Sequence, residues 1–149
     1  MKTRDAVFDY QKTVKDTETY TKDITLTEPI SAIELEVQCT NGATSNKGNY
    51  ISDIVTKVEI MDGSTTLWSL NMSQLEALAF FKTGKMPCIF PSEWAAGQQR
   101  HNAMILFGRH LWDRDYAFNP KSFTNPQLKV TMNKAAIRAA GATGFASGD

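Results

Sequence analysis

Three things are scarce in this chain of 149 residues: net charge, cysteine and long apolar runs. Sixteen Lys and Arg offset sixteen Asp and Glu, so the formal net charge is zero. A neutral chain carries no broad electrostatic footprint for nucleic acid or for an anionic membrane surface. It also resists self-association less than a charged one, which leans towards assembly. The cysteines are Cys39 and Cys88, without CxxC spacing. They read as two buried thiols of a protein made in a reducing cytoplasm, with one disulfide or a metal pair as the alternative. No apolar run approaches the ~20 residues of a membrane helix. The opening Met-Lys-Thr-Arg-Asp is charged with no apolar stretch behind it, so no signal peptide is expected.

What is present suits one soluble domain with its own core: 42% of residues are hydrophobic and 21% charged. The chain is organised around Asn102–Gly108, whose apolar run from Ala103 to Phe107 predicts a central strand buried on both faces. Residues 1–16 mix charges with Val7, Phe8, Tyr10 and Val14 and predict an extended arm. Strand formers fill Thr17–Leu26, ended by Pro29. Ile33, Leu35, Val37 and Cys39 alternate with Glu34, Glu36 and Gln38, the period of a strand with one wet face. Thr40–Asn49 is a polar loop. Tyr50–Met61 predicts a strand, Asp62-Gly63 a tight hairpin turn and Thr65–Leu70 the returning strand. Asn71–Thr83 predicts the one helix, capped by Asn71 or by Ser73 with Glu76 as its capping box, striped by Leu75, Leu78 and Ala79, and closed by Gly84. Lys85–Phe90 predicts a short strand, Ser92–Arg100 a loop, Leu111–Thr124 an irregular aromatic segment, and Gln127–Met132 the last strand with Leu128, Val130 and Met132 inward. Asn133–Asp149 is rich in Ala, Gly, Ser and Thr, with bulk only at Ile137 and Phe145, and predicts a linker or tail. The expected fold is all-β: an eight-stranded antiparallel jelly-roll sandwich over residues 17–132 with one short helix.

Reactive chemistry is thin. His101 and His110 stand nine residues apart and flank the buried strand. Jelly-roll enzymes of the cupin kind need two histidines one residue apart, then a carboxylate and a third histidine, and that pattern is missing. Asp113 and Asp115 offer a loop site for Ca²⁺, but paired aspartates in a loop commonly cap turns. No serine sits in a Gly-x-Ser-x-Gly elbow, and no glycine loop cradles phosphate. Trp68, Trp94 and Trp112 could stack on a sugar or simply pack. The expectation is therefore no enzyme, no cofactor, no metal and no catalytic residue. That leaves a building block or, as the alternative, a carbohydrate-binding β-sandwich module.

Several pieces carry a resemblance when taken in order. They are Ile33–Asn41 (Ile-Glu-Leu-Glu-Val-Gln-Cys-Thr-Asn), Val58–Ser64 (Val-Glu-Ile-Met-Asp-Gly-Ser), the helix Ser73–Thr83, Met104–Arg109 (Met-Ile-Leu-Phe-Gly-Arg) and Asp115–Val130 with Tyr-Ala-Phe-Asn-Pro and Phe-Thr-Asn-Pro-Gln-Leu-Lys-Val. Over residues 20–145 the chain resembles the N-terminal jelly roll of the major capsid proteins of double jelly-roll viruses, the tailless icosahedral bacteriophages and their relatives. That resemblance implies a viral structural protein that self-assembles into an icosahedral shell, made in the host cytoplasm and located in the virion. It implies a homotrimer forming a pseudo-hexameric capsomer, contacts with neighbouring capsid and minor virion proteins, and an internal membrane beneath the shell. No direct nucleic-acid role is expected, given the zero net charge. The Gly- and Ala-rich stretch 133–149 falls where that family crosses to a second roll.

Overall fold

The alternation at Ile33, Leu35, Val37 and Cys39 builds a nine-residue strand, Ala32–Thr40, with Ile33 and Val37 buried and Glu34 and Glu36 exposed. The computed structural model describes residues 4–43, 46, 49–85, 89–90, 94–135 and 144–146. Their strands are β1 (Thr17–Asp23), β2 (Ala32–Thr40), β3 (Val55–Asp62), β4 (Thr65–Leu70), β5 (Ile89–Phe90), β6 (Gln98–Leu106) and β7 (Pro126–Asn133). Two helices accompany them, α1 (Ile51–Ile54) and α2 (Met72–Thr83), with a 3-10 turn at Pro120–Ser122.

The strands form two antiparallel sheets, one in the order β1-β7-β3-β4 and the other β2-β6-β5. One apolar cluster joins them: Ile33 and Val37 of β2 with Ala103 and Ile105 of β6, against Val58 and Ile60 of β3 with Leu128, Val130 and Met132 of β7. The fold is thus an all-β sandwich, as the pattern of alternation predicted. Its strands number seven rather than eight among the described residues, and β5 has only two residues. The described helices are two rather than one.

Each difference has a local cause. Tyr50–Met61 was expected to be extended throughout, but Ile51–Ile54 is a helical turn. The Asp53 carboxylate accepts the Tyr50 backbone N–H at 3.2 Å, and the Asp53 N–H donates to the Tyr50 carbonyl at 3.0 Å, so local bonds outcompete a ladder. Ile51 and Ile54 are three apart, so a turn buries both on one side where a strand would point them to opposite faces. The central strand β6 begins at Gln98, four residues before the expected start at Asn102. It is not fully buried on both faces: Gln99, His101, Ala103 and Ile105 point inward while Asn102 and Met104 are half-buried. Its first inward side chains are polar, so an apolar run could not mark them. Of the strand expected over Lys85–Phe90, Lys85 is a bend at the end of α2 and Ile89–Phe90 pair with His101 and Arg100; residues 86–88, including Cys88, lie outside the described residues.

The hairpin forms where expected, but its turn sits one residue later: Asp62 stays in β3 paired with Thr65, and Gly63, at φ 57°, and Ser64 make the turn into β4. One extra residue, Leu67, interrupts the β3–β4 register. Helix α2 is capped by Asn71, which accepts the Gln74 N–H at 2.8 Å while the Gln74 side chain accepts the Asn71 N–H at 3.0 Å. This replaces the Ser73–Glu76 box and leaves Glu76 free for another role. Gly84 ends the helix in the left-handed region.

Both flanks touch the sandwich. Residues 4–16 run without regular structure along β1: Asp9 accepts the Tyr20 hydroxyl at 2.6 Å, and Phe8 and Val14 pack against the core. In the Gly- and Ala-rich stretch expected as a linker or tail, Gly144 and Ala146 bond to Gly42 and Thr40 at 2.9 and 2.8 Å, and Phe145 is 2% exposed. That segment therefore contributes a core side chain to the sandwich.

Candidate functional site

Two places gather the polar and aromatic groups that fold alone does not explain. The first lies where α1 and α2 close over the start of β6. His101 is inward on β6 and 2% exposed, and its Nε2 stands 2.9 Å from Glu76 Oε1 on α2. The two atoms are close but not aligned as a hydrogen bond, so both keep unspent bonding capacity. Burial, and then the nearby charge of Asp53, raises the Glu76 pKa; burial lowers that of His101. Both shifts disfavour the charged forms. A half-open cavity of about 210 Å³ adjoins the pair, lined by Tyr50, Ile51, Ser52, Glu76, Gln99, Arg100 and His101.

Behind this cavity runs a buried amide network. Gln99 Nε2 and Asn46 Nδ2 donate to Asn41 Oδ1 at 3.1 and 3.2 Å, Asn49 Nδ2 donates to Asn46 Oδ1 at 2.9 Å, and Asn41 Nδ2 donates to the Trp94 carbonyl at 2.9 Å. The network pins described parts of the 40–49 loop to β6 and to the Trp94–Gly97 turn. Buried amides are stable only when so partnered.

The second place is the loop after β6. Asp113 is buried and acts as its knot: its carboxylate accepts the Arg109 N–H at 3.0 Å, Arg109 Nε at 2.7 Å and the Asp115 N–H at 3.2 Å. The Arg109 hydrogen bond, above all, holds the Asp113 carboxyl well below the usual carboxylate range. Gly108 lets the chain approach so closely that an added Cβ would meet the Asp113 Cβ at 2.7 Å. On this knot sit exposed Leu111, Trp112 and Tyr116. His110 stacks on Trp112 at 4.8 Å, and the Arg109 guanidinium lies 4.9 Å over the Tyr116 ring. Next to the loop, Phe118 stacks between Phe107 at 5.1 Å and Phe123 at 4.9 Å, flooring an open groove of about 360 Å³.

The residues singled out in the sequence are thus dispersed. His101 and His110 serve different places, one buried against Glu76 and one exposed on Trp112. Asp113 is taken up by Arg109 and two backbone N–H groups, while Asp115 is exposed. Trp68 packs against the core, whereas Trp94 and Trp112 are exposed. Cys39 is a free thiol whose pKa burial pushes up to about 11. No group of three His, Cys, Asp or Glu side chains converges as metal ligands among the described residues. No described helix is long and apolar enough to cross a membrane. Sequence reasoning missed Glu76 and the Asn41–Asn46–Gln99 network; the run of asparagines between Asn41 and Asn49 was the available signal.

Comparison with known proteins finds no matching family model, no matching curated protein and no matching solved structure.

Proposed function

We propose that this chain is a jelly-roll building block of a viral shell, a capsid subunit that assembles with copies of itself. The observation that carries the reading is the nesting of the strands. Among the described strands, the first, β1, pairs with the last, β7, while the second, β2, pairs with the penultimate, β6. β3 then flanks β7 on its other side. Such outside-in nesting is how a jelly roll winds a long hairpin into two sheets.

The loop knotted by Asp113 supports an assembly role. It presents Trp, Tyr and Arg, the residue types that dominate interface energetics, on a backbone already ordered before any partner arrives. A homotrimeric, pseudo-hexameric capsomer is the assembly that the resemblance to double jelly-roll capsid proteins implies, with neighbouring shell and minor virion proteins as further partners. The second reading, a carbohydrate-binding module, draws on the same exposed Trp94 and Trp112.

Light scattering on the purified chain across a hundredfold concentration range separates the two. The shell reading predicts defined oligomers that the double substitution Trp112→Ala, Tyr116→Ala disperses. A monomer at every concentration that binds a glycan through Trp94 or Trp112 overturns it in favour of the module.

A further inference from the structure

The Glu76–His101 pair lining the 210 Å³ cavity has a use that shell assembly does not require. We propose that His101 Nε2 and Glu76 Oε1 bind a divalent transition-metal ion that ties α2 to β6. The spacing fits. An imidazole nitrogen and a carboxylate oxygen each ~2.1 Å from one ion stand ~3 Å apart in adjacent octahedral positions, and slightly farther in a tetrahedron. The two atoms are 2.9 Å apart, within ion-pair distance, and neither makes an aligned hydrogen bond. His101 is almost fully buried and borders the cavity, where an unpartnered ring nitrogen is costly.

Arg100 shares the cavity wall, so the attraction for a cation comes from the Glu76 carboxylate. Glu76 is partly buried and repelled by Asp53, and an ion beside it relieves both penalties. The mixed nitrogen and oxygen donor set suits Zn²⁺, Co²⁺ or Ni²⁺ better than Mg²⁺ or Ca²⁺, which take oxygen ligands. Two protein ligands leave the remaining positions to water in the half-open cavity, so the ion exchanges readily and binds more weakly than a three- or four-ligand structural zinc.

The test is calorimetric titration of the full chain with Co²⁺, Zn²⁺ and Mg²⁺. One Co²⁺ or Zn²⁺ per chain is expected, with no response to Mg²⁺. Glu76→Gln and His101→Gln should each weaken binding at least tenfold, and His110→Gln should leave it unchanged. Because the inward variants could disturb folding, a second readout uses the unaltered chain: Co²⁺ should broaden the NMR signals of His101, Gln99 and Tyr50 first. No saturable binding, binding that survives both inward substitutions, or broadening centred on His110 or Cys39 overturns the proposal.

Discussion

Asp113 shows how much one side chain can organise. It is buried, accepts four N–H groups from two residues, and fixes the loop that displays Trp112 and Tyr116. Its folded pKa lies below the unfolded value, because the carboxylate is bonded to Arg109. The stability it contributes is therefore fully present above the unfolded pKa of about 4 and is lost as pH falls below that value. Urea melts from pH 7 to pH 3 should show a loss on acidification that Asp113→Asn reduces, since the amide cannot titrate. At Gly108, an alanine Cβ would press on the Asp113 Cβ at 2.7 Å and on the His110 carbonyl at 3.0 Å. Gly108→Ala should cost about 1–3 kcal/mol in the same melts, the range for overpacking. At this scale the sequence was half legible. Asp113 and His101 stood out as chemistry-bearing residues. Their partners did not, because Glu76 lies 25 positions before His101 and meets it only once α2 folds back on β6.

At the scale of elements, regular alternation and turn chemistry carried the reading. β2, the Asp62-Gly63 hairpin, β4, α2 and β7 were all legible, since each is specified by its own residues. What failed was specified from a distance. α1 depends on Asp53 bonding back to Tyr50 and on two isoleucines finding the same side of the core. The start of β6 depends on amide partners in another loop. Phe145 has neighbours of Gly, Ala and Thr, and its burial against β2 leaves no periodic trace. Its truncation is correspondingly informative: Phe145→Ala should destabilise the sandwich by about 3–5 kcal/mol, as for other buried Phe→Ala changes, whereas a residue in a free tail would cost nothing measurable. Thermal melting of the variant decides between them.

At the scale of the molecule, the first described strand lies beside the last, so the β1–β7 ladder joins residues more than 100 positions apart, Thr17 to Asn133. Such non-local pairing slows folding, because the loop must close before these contacts form. The chain combines neutral net charge, an aromatic loop and exposed Phe80 and Phe81 on α2, features the proposed shell reading would use for contacts between copies. Electron microscopy of the purified full chain tests this most directly. The account predicts closed rings or shells of uniform size that Trp112→Ala with Tyr116→Ala disperses into smaller species. A field of single 16.6 kDa particles at millimolar concentration, unchanged by the substitutions, would contradict it.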